Sequence, residues 1–416
     1  YDDKFLYIIA KMEDIPSKKF IVGDLKRDFH GGAIDYIAFL FDTFQDETNG
    51  YNFGISPFGI QREALLSDGG EGSYSMGGGS RGGMSWFNIN WNTKWFSGAK
   101  IYEEGYWIAE FKIPFNSIRY KEGAKIWNFN SYRGNSKINE GSIWTVVPLG
   151  YSPANLSMTG ELEFEYPLKK PSQNLVVIPY VSGSGIRNKI SEPDTDSNFN
   201  VGVDMKMSLS SSINLDLTFN PDFSQVEVDE QRTNLTRFEL FLPEKREFFN
   251  DNADLFSNLG SRESRPMFTR RIGIVRDNTT SQYVQNPIIY GAKLSGKITD
   301  DLRVGVLNMQ TAKLSSSGMP SNNYGMAVLE KNILKNSKIS SFFINKQPLF
   351  NNKSNYNDYE LDSLINRVFG LETKLQSNNT RFKSELYYHH SFENDNKPKS
   401  NAYGANASYE KRNFES

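Results

Sequence analysis

"FNVGVDMKMSLSSSINLDLTFN", Phe199 to Asn220, is the stretch whose reading decides the fold. Its first residues put Phe199, Val201, Val203, Met205, Met207 and Leu209 on one side of an extended chain. Asn200, Gly202, Asp204, Lys206 and Ser208 fall on the other, because side chains alternate across a strand. After a serine turn the pattern returns, with Ile213, Leu215, Leu217 and Phe219 opposite Asn214, Asp216, Thr218 and Asn220. Later stretches agree. Phe369, Leu371 and Leu375 oppose Gly370, Glu372 and Lys374, and Phe382, Leu386 and Tyr388 oppose Arg381, Lys383 and Glu385. Strands of about ten residues, apolar outward and charged inward, are the signature of a transmembrane β-barrel, whose wall meets lipid and whose lumen is polar.

The connections test that reading independently. Short turns ("SLSSS", "ITDD", "LKNS", "QSNN") alternate with long polar loops ("GSGIRNKISEPDTDS", "LSSSGMPSNN", "NKQPLFNNKSNYNDYELDSLIN", "FENDNKPKSNA"). Periplasmic turns and extracellular loops produce this sorting by parity, whereas a soluble sandwich has no reason to. The count comes to about ten strands, the size of a small barrel. The sequence starts and stops inside strand patterns ("YDDKFLYIIAKM", "ASYEKRNFES"), so an incomplete barrel and a longer parent protein are expected.

Bulk composition is compatible. Aromatic residues make up 14% of the 416 residues, with 33 Gly and 16 Pro, a balance suited to strands and turns. The net charge of −2 argues against nucleic acid as a partner. The absence of Cys removes disulfides, thiolate metal sites and thiol catalysis. With only His30, His389 and His390, a multi-histidine metal centre is not expected. No run of about 18 apolar residues offers a spanning helix.

Residues 1–168 read differently, as short strands between turns. In Ile34–Phe41, apolar residues occupy both parities (Ile34, Tyr36, Ala38, Leu40 and Ile37, Phe39, Phe41), which predicts a strand covered on both faces within a β-sandwich. The predicted fold is therefore all-β: an N-terminal sandwich over 1–168, then an antiparallel barrel portion over 169–416. Within it, Pro221 to Asn286 starts and ends at the long-loop rim and is too apolar ("FELFL", "FF", "DLF") for a solvated loop. It is expected to fold inward as a plug or to pad the rim.

That segment concentrates charge. Asp222, Glu227, Asp229 and Glu230 stand close to Arg232 and Arg237, with Arg270 and Arg271 further on. Paired carboxylates can hydrolyse glycosides, given one protonated acid and one carboxylate. Inside a barrel, a structural ion-pair lattice fits better, since partly desolvated charges need partners.

Two stretches resemble known families. "YDDKFLYIIAKM", "RDFHGGAIDYIAFLFDTFQDETNGYNFGISPFGIQRE" and "GYWIAEFKIPFNSIRY" resemble the family 9 carbohydrate-binding-module-like domain. "NPDFSQVEVDEQRTNLTRFELFLPEKREFFNDNADLF" with "FTRRIGI" resembles the domain of unknown function, DUF5916, that follows that module in envelope proteins of the Bacteroidota. The resemblance implies a bacterial outer-membrane protein with a periplasmic sandwich, and no established activity. Sugar-binding modules of the first kind stack sugar between aromatic rings and use calcium structurally. Trp91, Trp95 and Trp107 are the sugar-stacking candidates, with sandwich core as the competing reading. Asp42 and Asp46 are the calcium candidates, with a solvated acidic turn as the competitor. No other cofactor and no catalytic residue is expected. The expected partners are membrane lipid and lipopolysaccharide, with carbohydrate and other envelope proteins as further classes. A carbohydrate-active hydrolase and a non-conducting scaffold subunit are the alternatives to a binding or transport protein.

Overall fold

The computed structural model describes residues 1–13, 20, 25–29, 31, 34–70, 86–148, 151–169, 175–187, 195–221, 244–261, 264–276, 283–314, 320–334, 336–349, 365–377, 381–392 and 400–409. The chain divides into two units, one formed mainly by Tyr1–Ser80 and Ser85–Gln173, the other mainly by Asn174–Leu209 and Ile213–Ser416.

The first unit contains β1 (Phe5–Glu13), β2 (Tyr36–Asp42), β3 (Gly50–Ile55), β4 (Gln61–Leu66) and β5 (Phe87–Asn88). It continues with β6 (Phe96–Tyr102), β7 (Tyr106–Pro114), β8 (Ile126–Asn135), β9 (Glu140–Ile143) and β10 (Gly160–Glu163). Three strands pair as β1-β7-β6, and the larger sheet runs β10-β8-β2-β3-β4-β5 with β9 on β8. Leu6, Trp107, Phe111 and Ile113 of the smaller sheet pack with Ile37, Phe39, Phe41, Phe53 and Trp127 of the larger one. The Phe39 and Phe111 rings meet edge to face at 5.0 Å, an arrangement that adds to simple burial. The other parity of β2 is also covered: Tyr36 and Ala38 pack with Phe29 and Ile34, and Leu40 with Leu66 and Leu156. All seven residues of β2 are buried, as its two apolar parities require.

The second unit comprises β11 (Leu175–Arg187), β12 (Thr195–Ser208), β13 (Ile213–Phe219), β14 (Ile274–Arg276), β15 (Tyr283–Gln285), β16 (Ile288–Lys297) and β17 (Leu302–Thr311). Then follow β18 (Ser321–Leu334), β19 (Ser337–Leu349), β20 (Asn366–Gln376), β21 (Phe382–Phe392) and β22 (Ser400–Tyr409). Ten of these form one antiparallel sheet in the order β11-β12-β13-β16-β17-β18-β19-β20-β21-β22, while β14 and β15 pair separately. Two short helices, α1 (Glu247–Asn250) and α2 (Ala253–Ser257), lie between β13 and β14.

Register carries the sequence alternation across this sheet. Met205 pairs with Leu217 while Lys206 pairs with Asp216, so apolar meets apolar and charge meets charge. One face leaves Val177, Val201, Val306, Leu329, Phe343, Leu371 and Leu386 exposed. Successive sheet strands alternate between connections of two to five residues and connections of seven residues or more, the longest being the insertion between β13 and β16. Among the described residues no ladder joins β11 to β22. The expected barrel is thus, in the chain itself, an open ten-stranded sheet.

Candidate functional site

The polar face of the ten-stranded sheet carries charges of opposite sign on adjacent strands, the cross-strand pairing that stabilises sheets. Asp216 of β13 pairs in register with Lys206 of β12 on one side and Lys293 of β16 on the other. Arg303 of β17 stands opposite Glu330 of β18. Glu372 of β20 and His389 of β21 lie diagonally adjacent, His389 Nε2 being 2.8 Å from Glu372 Oε1. Most of these groups are buried, with Lys293 at 1%, Asp216 at 2% and Arg303 at 4% exposure.

Residues 244–276 of the insertion cover this face and complete its charge pairing. The Lys206 ammonium lies 2.9 Å from Glu247 Oε1 and 3.2 Å from Asp251 Oδ2. Lys293 lies 3.2 Å from Asp216 Oδ2 and donates to the carbonyls of Phe248 and Asp251. Arg303 grips Asp254 with both terminal nitrogens, at 2.6 and 3.1 Å, and reaches Glu330 at 2.8 Å. Lys338 adds a second cation to Glu330 at 3.0 Å. Glu372 Oε1 also accepts the Gly260 amide at 2.8 Å. Gly260 has φ +72°, where a Cβ would meet the Ser264 carbonyl oxygen at 2.1 Å, so this approach requires glycine.

Apolar packing locks the same segment down. Phe248, Phe249, Leu255, Phe256 and Leu259 form one cluster with Leu307, Met309, Met326, Val328 and Phe342 of the sheet. Phe256 sits where a Cβ on Gly305 would come within 2.8 Å of its ring. Arg246 closes the segment on itself. It is bidentate to Glu244 at 2.9 and 2.8 Å, donates to the carbonyls of Ile272 and Thr269, and stacks over Phe249 at 4.3 Å.

Chemically, this is a neutralised lattice. Asp216, Glu247, Asp251, Asp254 and Glu330 each face a cation, and Glu372 is held by an imidazole and an amide. Among the described residues no group of three His, Asp or Glu is arranged to hold a metal ion.

The sequence-derived lattice overlaps this one little. Asp222, Glu227, Asp229, Glu230, Arg232 and Arg237 lie outside the described residues. Arg270 is buried and Arg271 exposed in the turn Thr269–Arg271. The assembled members Lys293, Arg303, Asp254, Glu330, Lys338 and His389 were missed, although the charged parity of their strands was a usable signal.

In the sandwich, Trp91, Trp95 and Trp107 are core residues at 4%, 4% and 1% exposure. Of the two readings open from the sequence, this burial favours sandwich core. Residues 91–95 form no strand, yet both indoles reach Phe53, at 6.0 and 5.4 Å. Trp95 stacks on Phe111 at 5.4 Å and donates its Nε1–H to Glu63 at 3.1 Å. Asp42 is likewise turned inward. Its oxygens accept the amides of Phe44, Asp46 and Glu47 and the Asn128 side chain, while Asp46 Oδ1 accepts the amides of Thr48 and Asn49. Converging N–H groups suit an anion, so the two carboxylates organise the turn. Burial, with Asp46 adding like charge, pushes the Asp42 carboxyl up to about 7 against its amide donors. Burial and then Glu63 push Asp28 up to about 6.

A family model described as "Domain of unknown function (DUF5916)" matches residues 171–415, more than half of the chain. Neither the curated proteins nor the solved structures contain a match.

Two outcomes are expected. Arg303→Met leaves Asp254 and Glu330 short of their shared cation, a loss of about 3–5 kcal/mol for a broken buried pair. Amide exchange and proteolysis over residues 247–259 should accelerate while the strand ladders stay protected; unchanged protection there would deny the lattice its holding role. For the sandwich, both carboxyls have folded-state values raised above the unfolded one near 3.8. Their contribution is therefore complete below about pH 4 and is lost as pH rises through 6 to 7. The unfolding free energy of this unit should fall between about pH 4 and 7, by up to about 1.4 kcal/mol per pH unit for the buried Asp42 and by less for the half-exposed Asp28. Asp42→Asn should flatten the slope.

Proposed function

This chain belongs to the DUF5916 family, and we propose that it is a bacterial outer-membrane β-barrel protein with a periplasmic, carbohydrate-binding-module-like sandwich. Its work is binding, transport or envelope assembly rather than chemistry. The observation that carries this reading is the outward face of the ten-stranded sheet. Val203, Met205, Leu215, Leu217, Leu294, Val304, Val306, Leu329, Phe343, Leu371 and Leu386 share it across successive strands by register. An apolar surface spread over ten strands is far larger than the patches a water-soluble monomer leaves exposed. A bilayer is the solvent in which it costs nothing.

Three further features support the same reading. Outward charges are peripheral: Lys331 is near the short-turn end of β18, 3.6 Å from Asp301, and Arg367 is near the long-loop end of β20. Exposed rings gather towards the strand ends, with Phe219 paired to Tyr290 and Tyr388 to Tyr403 on the long-loop side and Phe382 to Tyr409 on the short-turn side, as in aromatic girdles. The charged face is occupied by the insertion, the position of a lumenal plug. No described helix is long and apolar enough to cross a membrane, which says nothing of strands. A carboxylate-pair hydrolase is less well supported, because the carboxylates of the polar face are bound to cations or donors.

The test is the lipid preference of one face. Val203→Arg should destabilise the detergent- or lipid-folded protein by about 2–4 kcal/mol if the residue lies near the bilayer midplane. Lys206→Met, on the opposite face, should act through the lattice instead and loosen residues 247–251. A Val203→Arg variant as stable as the parent, in a protein soluble without detergent, would remove the barrel.

A further inference from the structure

Towards the long-loop rim, the covered face of the ten-stranded sheet carries a row of donors that the charge lattice leaves out. Lys206, Lys293, Arg303 and Lys338 of that face each meet a carboxylate. Parity puts Lys346 of β19 on the same side as Phe342 and Ile344, which pack with the insertion. Register sets Tyr324 of β18 opposite Lys346 on one side and Asn366 of β20 opposite it on the other. All three are half-buried. Among the described residues, neither the Tyr324 hydroxyl, the Lys346 ammonium nor the Asn366 amide has a hydrogen-bond or ion-pair partner. Neighbouring strands lie about 4.8 Å apart, so the three side chains can reach one small group between them. The carboxylates of this face are committed elsewhere. Glu330 and Glu372 both lie opposite Ser340, six residues along β19 from Lys346, which is about 20 Å at the strand rise. Glu244 accepts from Thr269 at 2.8 Å and is held by Arg246 at 2.9 and 2.8 Å. Arg271, exposed in the turn Thr269–Arg271, stands near enough for its charge to act on Lys346, and that charge is of the same sign.

We propose that Tyr324, Lys346 and Asn366 form a binding site for an oxyanion, a phosphate or carboxylate group of a solute that reaches the covered face from the long-loop side. The lysine ammonium is a compact point charge with three donors and no acceptor, which suits either group. The hydroxyl and the amide add neutral donors on its two sides, and an anion held by a charged donor makes shorter, stronger hydrogen bonds than a neutral ligand would. Like charges near each other on a half-buried surface repel, and an anion beside Lys346 turns that repulsion into attraction. The alternatives fit less well. A metal ion has the wrong sign for this row. A neutral sugar would leave the half-buried ammonium without a counter-charge. The inference goes beyond the role proposed above and does not use the membrane location, because the three residues belong to one sheet and the test runs in buffer or detergent alike.

Trace acylation of the folded full chain, read by mass spectrometry, reports how open the Lys346 amine is. Samples contain sodium phosphate, sodium acetate or sodium chloride at one ionic strength of about 0.1 M, so that screening is the same in all. Modification of Lys346 should fall about tenfold, relative to chloride, once the free anion reaches ten times its dissociation constant. Lys331, exposed and 3.6 Å from Asp301, should keep its rate. Protection by phosphate assigns a phosphoryl group to the ligand, and protection by acetate alone a carboxylate. Tyr324→Phe and Asn366→Ala each remove one donor and should weaken the protection of Lys346. Lys346→Met leaves no acid unpaired, so without the anion amide exchange over residues 247–259 should match the parent, in contrast to Arg303→Met. Equal rates in chloride, phosphate and acetate would mean that Lys346 merely reaches water, and would overturn the site. A Lys346→Met chain with the accelerated exchange of Arg303→Met would make Lys346 a structural member of the lattice instead. Protection undiminished in both donor variants would also remove the site.

Discussion

Arg303 sets the terms for the second unit. A guanidinium cannot give up its proton, so one that is 4% exposed must be surrounded by carboxylates. Its own sheet supplies Glu330, which Lys338 also binds. The balance comes from Asp254, on a helix of five residues that has little stability of its own. Strand and insertion therefore depend on each other. The sheet's buried cations need the insertion's acids, and the helices need the sheet to hold them. Lys206 with Glu247 and Asp251 repeats the logic three strands away in the sheet, and Lys293 extends it to backbone carbonyls.

This dependence explains why the charges are inside at all. Alternation permits one polar and one apolar face, and the apolar face of this sheet is the exposed one. Its charges must then share the covered side with Phe248 and Phe256, for which Gly291 and Gly305 leave room. Burying ion pairs adds little net stability compared with apolar replacements, while breaking one is costly. What such a lattice supplies is position: Asp254 fits only where Arg303 presents its fork.

Much of the fold could be read from period alone. Phe199–Asn220 yields the two faces and the turn between the strands, because alternation is a local property and one slip would invert every side chain. The same argument identified β2 as doubly covered. The lattice partners were less legible. Asp254 and Glu247 sit in a segment without period, and what they meet depends on how the chain returns to the sheet. The densest acids, Asp222 to Glu230, stand out in the sequence because clustering along the chain is visible there and convergence in space is not. The tryptophans show the reverse limit. Trp91 and Trp95 lie in an irregular segment, where spacing gives no face, and reach the core because Phe53 and Phe111 offer them rings.

The two units expose apolar side chains in different ways, and the difference has a physical reading. On the ten-stranded sheet the exposed residues are mainly aliphatic through the middle of the strands, with charge and rings towards the ends. On the β1-β7-β6 face each ring cluster is interleaved with lysine. An ammonium in hydrocarbon is expensive, whereas at the headgroup level it keeps its water and its phosphate partner. Under the proposed reading the aliphatic middle of the ten-stranded sheet belongs at the depth of acyl chains, with its charges and rings towards the water on either side.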